Sequence, residues 1–543
     1  MKINKKILTF LNNNWIILGL LALLSIIVFF PSIKGPFIYD DTNLIVKNEH
    51  IHSLSKIKEY FISSTRAGAL KSDNLYRPLS TVTYAVIYNF FGAKATFFHL
   101  FNIILHSVNG FLLFHLLKQL KFKHIVALFA VIIFLVHPIQ TESVSYISGL
   151  PDIMILTWIL LSTLLFLKLP EKNATTWHVL GLYMCTICGF LTKEVGVIIP
   201  PILLLLLIYI WPKIKGINRK KLLAHIGGIS ILAGIFLICK FTILNFEDSI
   251  GLSIGDDLYE GSIIVRIYTF LWAVPEYFKL IFFPKDLFFI KEGPVVTTYG
   301  SIHTILGSII ILAGAVLSIL SLKKKRIFAL GALWFAIAIF PVTGILIPLN
   351  AVYFEHWLYT PIIGIALLVS YFLCKINNKR KIGYIVLIII ILIFSGRTFT
   401  RSAEWADPIA FYKNELSYND TAVLHSQIGL AYMVKREWAG NAIEHFEKAI
   451  EIDASLVYPY TNLGVLYLHL GEEQKAAKSL FISLQLNPSN ASTIKALQKL
   501  SMNVGKNDVA EQLGGLIERI RQREEVVFED ITAITHPNIE NTK

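Results

Sequence analysis

"NWIILGLLALLSIIVFFPSIKGPFIYDDTNLIVKN", residues 14–48, joins an unbroken apolar run to a polar loop that carries two adjacent carboxylates, Asp40 and Asp41. About twenty apolar residues are what a helix needs to cross the hydrocarbon core of a bilayer. Runs of that kind recur along the 543 residues, and the mean hydropathy is +0.60. The chain therefore reads as a polytopic helical membrane protein. Its opening "MKINKK" and first apolar run imitate a signal peptide, but the run is long, lacks a small-x-small cleavage site and ends in "PSIKGP". An uncleaved signal anchor is the better reading.

The formal charge of +13 does not point to nucleic acid, because the basic residues sit in short clusters between apolar blocks. Such clusters mark cytoplasmic loops. They are "KINKK" at the start, "KQLKFKH" from Lys118, "KIKGINRKK" from Lys213, "KKKR" from Lys323 and "KINNKRK" from Lys375. Eleven spans fit between them: 14–31, 97–118, 124–138, 151–168, 176–192, 196–212, 222–245, 301–321, 327–348, 357–375 and 382–397. The N-terminus is then inside and the C-terminus outside. Segment 79–92 is short for a span, and segment 263–283 carries Arg266, Glu276 and Lys279. Both read as interfacial or re-entrant helices. Cys185, Cys188, Cys239 and Cys374 all fall in apolar blocks, against a disulfide framework. Cys185 and Cys188 match C-x-x-C, but at helical spacing in a span they read as packing.

After Arg397 the apolar blocks stop and an internal repeat begins. "IGLAYMVKREWAGNAIEHFEKAIEID" from Ile428 aligns with "LGVLYLHLGEEQKAAKSLFISLQLNP" from Leu463. Gly429 and Tyr432 match Gly464 and Tyr467, and Ala442 and Phe446 match Ala476 and Leu480, with one residue inserted in the first turn. The pattern is similar to the tetratricopeptide repeat, whose helix pairs stack into a solenoid. The expected organisation is all-α. A membrane domain at 1–397, with an outer loop at 32–96, is followed by a repeat domain at 398–523 and a flexible tail at 524–543. Two repeats are fewer than a solenoid needs, so the flanks 403–420 and 491–523 are expected to cap it.

Ionisable residues collect at the outer span ends, where a carboxylate escapes the cost of bilayer depth, on the order of 3 kcal/mol. Asp40 and Asp41 are either a solvated turn or a general base facing the outer leaflet. Arg77 lies in the same loop, within "YRPL". Glu142 and Asp152 lie within "HPIQTESVSYISGLPD", at the outer ends of the third and fourth spans, Lys193 and Glu194 sit in "LTKEVG", and Glu355, His356 and Tyr359 sit in "YFEHWLYTP". His99, Asn102 and His106 share a helix face, where interhelical hydrogen bonding is the simpler reading. No acidic partners at fixed spacing accompany these histidines, so no metal ligands are assigned; a divalent metal is compatible but not indicated.

In their order and spacing over residues 35–490, these elements resemble the GT-C superfamily of glycosyltransferases. They are most similar to its transmembrane and tetratricopeptide-repeat O-mannosyltransferases. The matching stretches are "YDD..LI..N", "YRPL", "FHLFNIILH", "HPIQTESV" with "GLPD", "KEVG", "LYTP" after "NAVYFEH", and repeats following "RTFTRSAEW". The resemblance implies transfer of a sugar, typically mannose, from a polyprenyl-phosphate donor to a protein hydroxyl with inversion. Asp40 would be the base and Asp41 its helper. Glu142 and Asp152 match the second acidic region, and Lys193 and Arg77 fall where donor-phosphate and site-shaping contacts are expected. Where that family usually has arginine, this chain has His356, which neutralises phosphate only when protonated.

One carboxylate base with nearby cations suffices for such chemistry, since phosphate leaves readily once its charge is met. A single essential carboxylate also suits direct displacement better than a covalent route. The expected partners are a polyprenyl-phosphate sugar, membrane lipid and an acceptor protein engaged by the repeats. A lipid or glycan acceptor, or a non-catalytic scaffold that recruits partners through its repeats, stays open. A transporter would show repeats among the spans and charge at mid-bilayer, and neither is evident. Richness in Ile, Lys and Asn suggests a bacterial cytoplasmic membrane with the site facing outside, or the ER lumen in a eukaryote.

Overall fold

The computed structural model describes the chain apart from residues 1–13, 70–74, 215, 245–255, 290, 292, 325, 377–380, 435–438, 522–525 and 536–543. The first basic cluster, parts of those at 323–326 and 375–381, the start of the outer loop 246–300 and the inserted repeat turn lie outside the described residues. Every described regular element is a helix. The chain divides into two compact units, residues 1–407 and 408–543.

Among the described residues of the first unit, seven helices are long and apolar enough to cross a bilayer: Trp15–Lys34, Ala95–Gln119, Ile147–Lys168, Glu194–Lys213, Asn218–Ile243, Ile302–Leu322 and Ile382–Ala406. His124–Val136 and Pro138–Val144 form a further segment bent by 51°. The bend follows from Pro138, which cannot donate to the ladder, and from His137, whose Nδ1 accepts the Ile139 N–H. Thr176–Thr192, Ile327–Val342 and Ile362–Lys375 are shorter apolar helices. These segments coincide with the eleven apolar blocks of the sequence. The two blocks left out form the short helix Pro78–Phe91 and the helix Ile263–Phe282, which keeps its three charges and an internal Pro275. The core lies between Ala95–Gln119, His124–Val136 and Leu150–Lys168, where Ile103, Phe134 and Leu156 are fully buried.

The last span does not end at residue 397. Arg397, Arg401 and Glu404 share one face, and Glu404 pairs with both guanidiniums at 3.0 and 2.7 Å. Their charges are met along the helix, which runs on to Ala406 and stops before Pro408. The division between units therefore falls at Asp407 rather than at the expected 397.

The second unit is a run of helix hairpins. Ala422–Val434 packs on Ala439–Ile452, and Val457–Leu470 packs on Glu473–Leu486, as the repeat requires. A Cβ on Gly429 would lie 2.7 Å from the Phe446 ring, and one on Gly464 would lie 2.5 Å from Leu480. Only glycine lets these helices cross so closely. A third hairpin, Ala491–Asn503 with Asn507–Arg521, fills the flank expected to be a degenerate cap. Here Gln498 stands where Gly464 stood and Gly514 where Leu480 stood. The large and small partners have changed sides, and the Gln498 amide donates to the Ala510 carbonyl at 2.9 Å. Part of the expected tail is also helical: Phe528–Thr535 buries Ile531, and Asp530 meets Arg519 at 3.3 Å.

Candidate functional site

The acidic pair sits on a loop held from several sides. The Gly35 carbonyl accepts from His99 at 3.2 Å, and the Asn102 amide donates to the Tyr146 carbonyl at 3.2 Å. Tyr39 adopts a left-handed backbone (φ 49°), which costs energy for an aromatic residue. Asp41 points inward and is completely buried, accepting from the Ile38 N–H at 3.2 Å, the Ser148 N–H at 2.9 Å and the Ser148 hydroxyl. Burial pushes its carboxyl up to about 7 despite those three bonds, and the neighbouring Asp40 charge adds to the rise. Asp40 points the other way. Its N–H donates to the Tyr146 hydroxyl at 3.1 Å, and its carboxylate, 31% exposed, meets Arg66 at 3.0 Å.

Thr65 places Arg66. Its carbonyl accepts from Asn48 at 2.8 Å, its N–H and hydroxyl both donate to the Leu75 carbonyl, and its hydroxyl oxygen accepts the Arg77 N–H at 3.2 Å. One buried threonine thus sets both arginines. Arg77 reaches Glu194 at 3.3 Å, and Glu194 also binds Lys240 at 2.9 Å, while Lys193 pairs with Asp152 at 2.6 Å. Lys193 and Glu194 therefore turn to different partners rather than to each other. Burial lifts the Tyr84 phenol well above its ordinary value. The charges of Asp41, Asp152 and Asp40 add to that rise and Arg77 opposes it.

Glu142, Glu355 and His356 form a separate group. Glu142 is buried and accepts the His356 backbone N–H at 2.9 Å and its Nδ1 at 2.5 Å. Glu355 pairs with Lys291 at 3.0 Å and accepts the Phe288 N–H at 2.9 Å. Burial raises the Glu355 carboxyl, and Lys291 and Arg401 oppose the rise. Tyr359 belongs to neither group. The helical turn His356–Leu358 carries it between spans, where its hydroxyl meets His106 at 2.7 Å and Asn109 at 3.3 Å. His106 is thus an interhelical hydrogen-bonding residue.

Several participants carry no mark in the sequence. Arg66 and Lys291 reach the site only through the fold, and Arg401 lies in the "RTFTRSAEW" stretch with nothing to single it out. Lys240 was readable: a lone lysine in an apolar block is costly and usually functional, and its side chain is fully buried. Among the described residues, no three His, Cys, Asp or Glu side chains gather closely enough to hold a metal ion.

Fold and site together define a multi-pass membrane protein with carboxylates and cations gathered at the ends of its spans. A family model described as dolichyl-phosphate-mannose-protein mannosyltransferase matches residues 75–246. A Caenorhabditis elegans protein O-mannosyl-transferase is 26% identical over 452 residues, 80% of this chain and 62% of the relative. The human protein O-mannosyl-transferases TMTC3 and TMTC4 are 22% and 24% identical, covering 83% and 75% of this chain and 53% and 62% of their own lengths. The chain thus spans less than two thirds of the curated relatives it matches. No solved structure matches. Over most of its length the chain is thus similar to protein O-mannosyl-transferases, and its residues 75–246 to the mannosyltransferase family model.

Proposed function

We propose that this protein is a membrane glycosyltransferase that moves mannose from a polyprenyl-phosphate donor to Ser or Thr hydroxyls of proteins. The acceptor oxygen attacks the anomeric carbon as its proton passes to Asp40. The bond to the phosphate oxygen breaks with inversion, and polyprenyl phosphate leaves with the electron pair. The observation that carries this reading is the division within the acidic pair. Asp40 alone is accessible, with Arg66 at 3.0 Å, while Asp41 is sealed in hydrogen bonds.

Asp41 acts as a positioning residue that ties the loop to Ser148. Arg66, Arg77, Lys193 and Lys240 face three carboxylates, Asp40, Asp152 and Glu194. This excess of cations favours the donor's phosphate. The helix hairpins of residues 422–521 engage the acceptor polypeptide. The membrane is bacterial and cytoplasmic with the site facing outward, or that of the ER with a lumenal site.

The test incubates the purified protein with polyprenyl-phosphate mannose and an extract of candidate acceptors. Mass spectrometry identifies the product, and linkage-specific glycosidases assign its anomer. Asp40→Asn should lower transfer by about 10² to 10⁴, the range of general-base catalysis. Full transfer by this variant would sink the assignment of the base, and absence of any mannosylated product would sink the reading as a whole.

A further inference from the structure

Six rings from five separate stretches of chain lie against one another beside Asp40. Tyr146 stacks on Trp405 with centroids 5.4 Å apart, and both rings are almost completely buried. In front of them stand Tyr39, Phe289, Phe354 and His356, all half-buried. Phe289 meets Tyr39 at 5.1 Å, Tyr146 at 5.4 Å, Trp405 at 5.7 Å and Phe354 at 6.5 Å, and Phe354 stacks on His356 at 5.0 Å. An interfacial belt places single aromatic rings at the headgroups. Here a buried layer backs a half-exposed one, and polar contacts fix its members. Glu142 holds the His356 ring through Nδ1, and Glu355 holds the Phe288 N–H next to Phe289.

We propose that Tyr39, Phe289, Phe354 and His356 form a stacking platform for the pyranose ring of the lipid-linked donor. The proposal rests on the glycosyltransferase reading and adds a site for the sugar to it. A pyranose presents a face of C–H bonds with hydroxyls around its edge. The C–H face complements the negative faces of aromatic rings, and the hydroxyls need polar groups at the rim of an otherwise apolar wall. The half-exposed rings supply the apolar wall, with Phe289 edge-on to Tyr39, Tyr146 and Trp405, and the rim is polar. Asp40 and Arg66 stand beside Tyr39 at one end, and the His356 Nε2 stands at the other, its Nδ1 already engaged by Glu142.

The test uses the full chain carrying Asp40→Asn, so that donor binds without turnover. Calorimetry then compares a short-chain polyprenyl-phosphate mannose with the same polyprenyl phosphate lacking sugar. The mannosyl lipid should bind more tightly. Adding Phe289→Leu or Phe354→Leu should remove about threefold to tenfold of that gain and leave the sugar-free lipid unaffected, which also reports that the variant is folded. Phe289→Tyr should retain the gain. The platform is overturned if both leucine variants keep the full gain, or if both ligands weaken equally. If the Asp40→Asn protein binds neither lipid, the donor reading fails, and the platform with it.

Discussion

Replacing Asp41 by asparagine tests the division within the acidic pair through stability rather than activity. The carboxyl is sealed from solvent, and burial raises it from 3.8 to about 7. The folded protein thus holds this proton more tightly than the unfolded chain does. The resulting stabilisation is complete below about pH 4 and is lost as pH rises through 7. A displacement of that size corresponds to roughly 4 kcal/mol, with a slope of at most about 1.4 kcal/mol per pH unit. Asparagine matches the volume and keeps an acceptor toward Ser148, but its NH2 group faces the Ile38 N–H, costing about 1–3 kcal/mol. Unfolding in detergent between about pH 5 and about pH 8 should therefore show the parent losing stability steadily. The variant should start lower and stay flat, so that the two converge at the alkaline end. Equal slopes in the two proteins would refute the buried, proton-holding role of Asp41.

Arg66→Gln deprives Asp40 of its partner and should lower kcat on the order of tenfold to a hundredfold through misplacement of the base. Arg66→Lys should restore part of it, and steady-state transfer assays would show whether KM for the donor moves instead. Lys240→Met removes one of two cations on Glu194, which keeps Arg77, and should destabilise the first unit by about 1–3 kcal/mol; an unchanged unfolding midpoint would contradict the buried pair. Gly464→Gln should cost about 1–3 kcal/mol by overpacking against Leu480. Combining it with Leu480→Gly copies the third hairpin and should recover most of that loss in thermal unfolding of the full chain.

Much of the architecture was legible because it is local. Span length and hydropathy are properties of consecutive residues, and the apolar blocks reappear as helices at the same positions. The first two hairpins were visible because Gly429 and Gly464 face large partners from the same side. The third was hidden because Gln498 and Gly514 exchange the two sizes. One large and one small residue still meet at the helix crossing, but no column of like residues remains to be seen. The last span outran its apolar block because Glu404 satisfies two arginines that composition alone scores as a stop.

The site divides in the same way. By itself the sequence determined that Asp40 and Asp41 follow the first span and that other ionisable residues gather at span ends, since charge in a bilayer is confined by solvation cost whatever the fold. Only the tertiary structure decided that Asp41 is buried and Asp40 accessible, through the hydrogen bonds of Ile38 and Ser148 to the one and the ion pair of Arg66 with the other. It alone gave Asp40 to Arg66, Glu194 to Arg77 and Lys240, and Glu142 to His356. Ion pairs act over a few ångströms, and most of these partners come from segments far apart in the chain, while Asp40 and Arg66 meet by the folding of one loop.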